Sequence, residues 1–147
     1  MLKSVFERVV FLEKYPKSQI DLSVFVLSHD GGYRSAAFNA VSLALMDAGI
    51  AMRDFVVATT AGLMNGSTAV LDLIFEEEKK QNCEFVLVYL MRSKQVSYVN
   101  LNCNKIRVSD FEKLLELSIA SCEQVYEVMK ATVKAKIAAN INSFYFK

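Results

Sequence analysis

The sequence is short of the residues that most often announce a chemistry. It has one histidine, His29, and three cysteines, Cys83, Cys103 and Cys122, spaced too widely for any Cys-x-x-Cys pair. That leaves no zinc signature, and His29 beside Asp30 reads as a turn or surface histidine rather than a base. The cysteines are expected to be reduced core thiols, as in an intracellular protein. No apolar run approaches the ~20 residues of a membrane span. The N-terminal MLKSVFERVV interleaves charges with apolar residues, unlike a secretory leader. Neither sign of charge is in excess: 17 Lys+Arg against 16 Asp+Glu give a net charge of +1. The chain is therefore no polycation, and any nucleic-acid contact must be a local patch or a surface shared with partners. Repeats and linkers are missing too, so one domain over residues 1–147 is expected, long enough to bury a core. What is plentiful is apolar residues, at 53 %, which hints at buried interfaces.

The most informative stretch is Ser18 to Gly49. Ile20, Leu22, Val24 and Val26 alternate with Asp21, Ser23, Phe25 and Leu27, the period-2 pattern of a strand. Asp30-Gly31-Gly32 breaks it, with two residues that tolerate positive φ and close backbone approach. Ala36, Ala37, Ala40, Val41, Ala44, Leu45 and Ala48 then recur at helical spacing, and Gly49 stops the helix. The alanines are expected to let the helix lie close on the strand, with Ile20, Val24 and Val26 buried against Ala40 and Ala44. A glycine turn feeding a helix leaves N–H groups pointing outward at the positive end of the dipole, where an anion is welcome. Arg34, in the first turn, adds a guanidinium suited to phosphate.

The remaining elements follow from pattern. Val5 to Lys14 reads as a short helix ended by Pro16. Phe55 to Ala61 reads as a strand, Asn65-Gly66 as a hairpin turn, and Thr68 to Leu73 as the returning strand. Glu76 to Lys80, EEEKK, reads as a solvated turn or short helix. Glu84 to Met91 is nearly all apolar, like a strand buried on both faces. Arg92-Ser93-Lys94 is a turn, and Gln95 to Asn102 the next strand. A last long helix starts at Ser109, where Ser109-x-x-Glu112 fits a capping box. The order α, β, α, β, β, β, β, α predicts an α+β class, an α/β sandwich with helices on one side of a mixed sheet. Phe25, Phe38 and Tyr89 are expected in the core.

Several motifs in this order carry a resemblance. Tyr15-Pro16-Lys17-Ser18-Gln19-Ile20-Asp21, then Asp30-Gly31-Gly32-Tyr33-Arg34, then Asp47-Ala48-Gly49-Ile50-Ala51-Met52-Arg53-Asp54 resemble the RNase PH family. Within it they are most similar to the exosome core subunit of the type that carries the phosphorolytic site in archaeal exosomes. The resemblance implies the fold of ribosomal protein S5 domain 2, with this chain matching the second half of the family fold and no counterpart for its first half. It further implies shortening of RNA from the 3′ end with inorganic phosphate as the nucleophile. No other cofactor and no metal is implied.

By the resemblance, Gly32, Tyr33 and Arg34 hold phosphate, although Tyr33 replaces the small hydroxyl residue usual in the family. The family's catalytic aspartates follow an L-D-L segment, here Leu71-Asp72-Leu73, and fall on Glu78 and Glu84. Each is one methylene longer, and a misplacement near 1 Å costs about 10²-fold in rate. The expectation is therefore a structural, RNA-contacting subunit of the exosome ring, the carboxylates being vestigial. An active phosphate-dependent 3′–5′ exoribonuclease is the alternative, and an S5-like RNA chaperone a third reading that needs a more basic face. Arg34, Arg92 and Lys94 are the RNA-binding candidates. The implied partners are single-stranded RNA and other RNase PH-like subunits in a hexameric ring, with no membrane and no DNA. The implied location is the nucleus and nucleolus, and also the cytoplasm.

Overall fold

The computed structural model describes the backbone of residues 1–64, 67–81, 83–103 and 105–145, and side chains up to residue 139. The elements are α1 (Leu2–Val9), a 3-10 turn (Leu12–Lys14), α2 (Tyr33–Asp47), β1 (Val56–Met64), β2 (Thr68–Leu71), α3 (Phe75–Glu78), β3 (Cys83–Leu90), β4 (Gln95–Cys103) and α4 (Val108–Tyr145). The strands form one sheet in the order β2-β1-β3-β4, and every neighbouring pair is antiparallel. The sheet is thus antiparallel where a mixed one was expected. Asn65 and Gly66, the expected hairpin turn, lie outside the described residues. No helix among those described is long and apolar enough to cross a membrane.

Helices cover both faces of the sheet rather than one. Val56, Ala58 and Val88 join Val5, Phe6 and Val9 of α1 and Phe38, Val41 and Leu45 of α2 in one cluster. Val57, Ala61, Leu63, Phe85 and Leu87 join Leu114, Cys122 and Met129 of α4 in the other. The reason lies in the strands themselves. β1 is buried at eight of its nine positions and β3 at six of eight, so each strand presents apolar side chains in both directions. A single helical layer would leave one of those faces in water, at a cost of roughly 25 cal/mol per Å².

α2 lies along an edge as well as a face. β2 pairs with β1 only from Ala61 onward. Ahead of that point the backbone of Ala58 is paired by a side chain: its N–H donates to Asn39 Oδ1 at 2.8 Å, and Asn39 Nδ2 donates to its carbonyl at 2.9 Å. Asn39 stands in for a strand.

Three local expectations fail. Residues 18–29 form no strand, because no other segment among the described residues lies alongside to exchange hydrogen bonds with them. Ile20 alone is half-buried, against the α1–α2 cluster; the apolar side chains from Leu22 to Leu27 are left in solvent, with Phe25 83 % and Leu27 96 % exposed, so Phe25 is no core residue while Phe38 and Tyr89 are. Second, Ala36, Ala40 and Ala44 are exposed, and α2 buries Ser35, Phe38, Val41, Ser42 and Leu45 instead. Turning the larger side chains inward removes more apolar area from water. Third, α4 begins at Val108, so Ser109 sits inside the helix. The buried carboxylate is that of Asp110, which accepts from Arg107 Nε at 2.8 Å and lies 3.6 Å from Lys113 Nζ.

The far end of the sheet is tied by Asp54. Its Oδ1 accepts from Phe55 N and Arg92 N at 2.7 and 2.8 Å, and its Oδ2 from Ser93 N and Ser93 Oγ at 2.8 and 2.7 Å. Burial alone raises this carboxyl's pKa, but the bonds from Arg92, Ser93 and Phe55 outweigh it and hold it below the usual value. A depressed carboxyl contributes stability that is complete above its unfolded pKa, about 3.9, and is lost as pH falls through the lower folded value. Asp54→Asn is therefore expected to cost about 1–2 kcal/mol at pH 7 and to be less sensitive to acid below about pH 4. Urea midpoints for both proteins at pH 7 and pH 3 check this. Equal losses on acidification would rule Asp54 out as a source of acid sensitivity.

Candidate functional site

The glycine turn is shaped by what it packs on. Gly31 and Gly32 have φ of 98° and 58°, and a Cβ at Gly31 would run into the carbonyl oxygen of Leu73. The turn therefore lies flat against the segment that follows β2, where Asp72 itself has a positive φ of 51°. Phe75 N donates to the Asp30 carbonyl at 3.1 Å. Ser35 Oγ donates to the Gly32 carbonyl at 2.8 Å, and Thr60 Oγ1 donates to Ser35 Oγ at 3.0 Å, which pins the start of α2 to β1.

This contact brings α3 to the N-terminus of α2. The N–H of Gly32 donates to Glu78 Oε1 at 2.9 Å. The carboxylate thus occupies the place an anion would take at the positive end of the helix. The first-turn N–H groups of Tyr33 and Arg34 are donors an α-helix leaves without an internal partner. Arg34 Nη1 lies 3.0 Å from Glu84 Oε1, with the two side chains 31 % and 20 % exposed. Arg34 Nε donates to the Tyr33 hydroxyl at 3.3 Å. That bond, opposed by burial and helped by Glu84, raises the Arg34 pKa further above its usual value. Tyr33 leans on His29, ring centres 5.5 Å apart, and the His29 ring in turn meets Phe75 at 6.0 Å.

Tyr33, Arg34, Glu78 and Glu84 face one cleft of about 330 Å³, walled also by Lys79, Gln81, Cys83 and Asn102. Five of the residues expected at the site, Gly32, Tyr33, Arg34, Glu78 and Glu84, therefore meet, although they come from α2, α3 and β3. Arg92 and Lys94 do not join them. They follow β3, whereas Glu84 stands near its start, and a strand of that length separates the groups by roughly 23 Å at ~3.3 Å per residue. Arg92 lines a second cleft, of about 530 Å³, with Arg8 and Arg53. Asn102 went unforeseen at the site. Its place follows from lying opposite Glu84 in the β3–β4 register, a fact of pairing that no spacing in the sequence reveals.

Chemically, the cleft combines helix N-terminal donors and one guanidinium with two carboxylates. The cations and donors suit a phosphoryl group, and the carboxylates suit a proton at a leaving oxygen. In this structure the Gly32 N–H is held by Glu78 and the Arg34 guanidinium by Glu84, both carboxylates of the chain itself.

Comparison with known proteins gives this arrangement a family. The model of domain 1 of the 3′ exoribonuclease family, RNase PH, matches residues 1–51, and that of domain 2 matches residues 54–121. The chain belongs to the RNase PH family. The boundary between the two matches falls within the loop that joins α2 to β1, so the cleft draws Gly32, Tyr33 and Arg34 from one RNase PH segment and Glu78 and Glu84 from the other. Similar relatives include the exosome complex component Rrp41 of Nitrosopumilus maritimus, 33 % identical over 95 % of this chain and 57 % of the relative. The human exosome complex component RRP41 is 35 % identical over 92 % of this chain and 55 % of its own length. That of Pyrobaculum aerophilum is 36 % identical over 99 % and 58 %. The chain thus spans somewhat more than half the length of these RNase PH-family relatives. The crystal structure of rice Rrp46 superposes with a TM-score of 0.84 at 22 % identity, over 90 % of this chain and 62 % of that one, and so has the same fold.

Proposed function

We propose that this chain serves as an exosome-type RNase PH subunit that contacts single-stranded RNA and has a structural rather than a catalytic role. It forms one RNase PH-like unit, assembles with other RNase PH-like subunits in a hexameric ring, and works in RNA processing and degradation in the nucleus, the nucleolus and the cytoplasm. The observation that carries this reading is the double occupation of the cleft, Glu78 on the N–H of Gly32 and Glu84 on Arg34. In phosphorolysis an oxygen of inorganic phosphate attacks the phosphorus of the last internucleotide link. The bond from that phosphorus to the preceding 3′ oxygen breaks, a nucleoside diphosphate leaves, and the 3′ oxygen takes a proton. The attacking phosphate needs donors, and here the long carboxylates already take the Gly32 N–H and one nitrogen of the Arg34 guanidinium.

The second reading, an active phosphate-dependent 3′–5′ exoribonuclease, is favoured by the same cleft in one respect. Both carboxylates and the guanidinium converge, so the groups for charge compensation and for proton transfer are all within reach. Incubating the chain with a 3′-single-stranded RNA, with and without inorganic phosphate, tests the choice. RNA binding with no phosphate-dependent release of nucleoside diphosphates is the expected result. Release that requires phosphate and disappears in Arg34→Ala would replace the structural reading with the catalytic one.

A further inference from the structure

Two of the three cysteines, unrelated by any sequence spacing, are brought together by the sheet. Cys83 opens β3, Cys103 closes β4, and the antiparallel register sets them directly opposite each other. Residues so placed have Cα atoms about 4.5–5.5 Å apart, within the roughly 4.4–6.8 Å that a disulfide spans. Opposed residues point to the same side, and both side chains belong to the cluster under α4. Both are free thiols here, Cys83 being 1 % exposed and Cys103 half-buried. Cys122 is not a competitor. Its Sγ sits 3.6 Å from Thr59 Oγ1, whereas Cys83 pairs with Leu63, four residues further along β1 or roughly 13 Å.

We propose that Cys83 and Cys103 are a redox-modification site, closing to an intrachain disulfide on the wall of the cleft that holds Arg34 and Glu84. The oxidant is a peroxide. Cys103, the accessible thiol, attacks as its thiolate: an S–O bond forms, the O–O bond breaks, and water leaves with a sulfenic acid behind. The Cys83 sulfur then attacks the sulfur of Cys103. The S–S bond forms, the S–O bond breaks, and the departing oxygen leaves as a second water. Two thiols give two electrons to one peroxide. Burial, and after it the neighbouring Cys103 thiol, push the Cys83 thiol up to about 12, which assigns it the second step rather than the first. A dithiol reverses the reaction.

The bond falls at the open end of the hairpin, away from its Arg92–Lys94 turn, and β4 is the edge strand of the sheet. Closing it therefore ties the edge to its one neighbour at the end where the pair would otherwise fray. Cys83 lines the cleft and precedes Glu84, so the start of β3 is held as well.

The test treats the purified chain with one equivalent of hydrogen peroxide, counts thiols after denaturation, and maps the linked peptides by mass spectrometry. Expected is a monomer that has lost two hydrogens and retains one of its three thiols, with Cys83 joined to Cys103 and all thiols restored by dithiothreitol. Cys122→Ser should form the same bond, and Cys103→Ser should not. Cys83→Ser, if it folds, should accumulate a sulfenic acid on Cys103 that dimedone traps. Three thiols remaining, a linked peptide that contains Cys122, or disulfides only between chains would overturn the proposal.

Discussion

Replacing Asn39 by alanine is expected to cost about 2–4 kcal/mol, more than its half-buried side chain would suggest. Its amide completes the sheet where β2 falls short, taking the N–H of Ala58 on one atom and its carbonyl on another. Alanine leaves both backbone groups unpaired beneath α2, and each unpaired buried group costs about 1–3 kcal/mol. Water reaches part of this site, which places the sum below the maximum. Asn39→Asp keeps the acceptor but turns a carboxylate toward the Ala58 carbonyl, so it should be no better than alanine. Asn39→Ser offers one short polar group and should fall in between. Urea unfolding of the three variants gives the order. An alanine variant with an unchanged midpoint would show that the amide is decoration and that packing alone holds α2 to β1.

The same residue illustrates where sequence reading stops. The strands from Phe55 onward and the two long helices were legible from their own patterning and composition, whereas Glu76 to Lys80 read only as a solvated turn or a short helix. Residues 20–27 carry a periodicity as clear as any, yet they form no strand. Alternation describes the two faces of a strand, but a strand also needs a neighbour to exchange hydrogen bonds with, and nothing in a local pattern supplies one. The alanines of α2 misled for a related reason. A stripe of small residues and a stripe holding Phe38, Val41 and Leu45 coexist on one helix, and burial goes to the stripe with more area to hide. At the site, the residues were legible through the motifs they sit in, but their meeting was not. Arg34 and Glu84 are 50 positions apart, and only the packing of α2 beside the start of β3 makes them a pair. The opposition of Cys83 and Cys103 lies wholly in the register.

The second large effect concerns anions at the glycine turn, where removing a carboxylate is expected to strengthen binding about tenfold. In the parent chain, phosphate should bind weakly, with a dissociation constant on the order of millimolar, or about −4 kcal/mol. A phosphate oxygen arriving at the turn needs the N–H of Gly32, and Glu78 Oε1 already holds it at 2.9 Å. The ion must displace that carboxylate and then remain near it. Two unit charges 5 Å apart repel by about 3 kcal/mol at an effective dielectric constant of 20. Solvent and salt at this half-exposed site reduce that to ~1.4 kcal/mol, which is a factor of ten. Glu78→Gln removes the charge and keeps the shape, so phosphate should bind about tenfold more tightly. Arg34→Ala should remove most of the binding, because the guanidinium is the one full positive charge on the turn and its loss also leaves Glu84 unpaired. The double variant Arg34→Ala/Glu84→Gln separates these two causes: binding that stays lost belongs to the guanidinium. Lys130→Ala, on the far helix beside Glu127, should change nothing. The amide resonances of Gly32 and Tyr33, followed through a phosphate titration, report on the turn directly. If they do not move in Glu78→Gln while resonances elsewhere do, phosphate is not held at this turn, and the likeness to a phosphate cradle is one of shape alone.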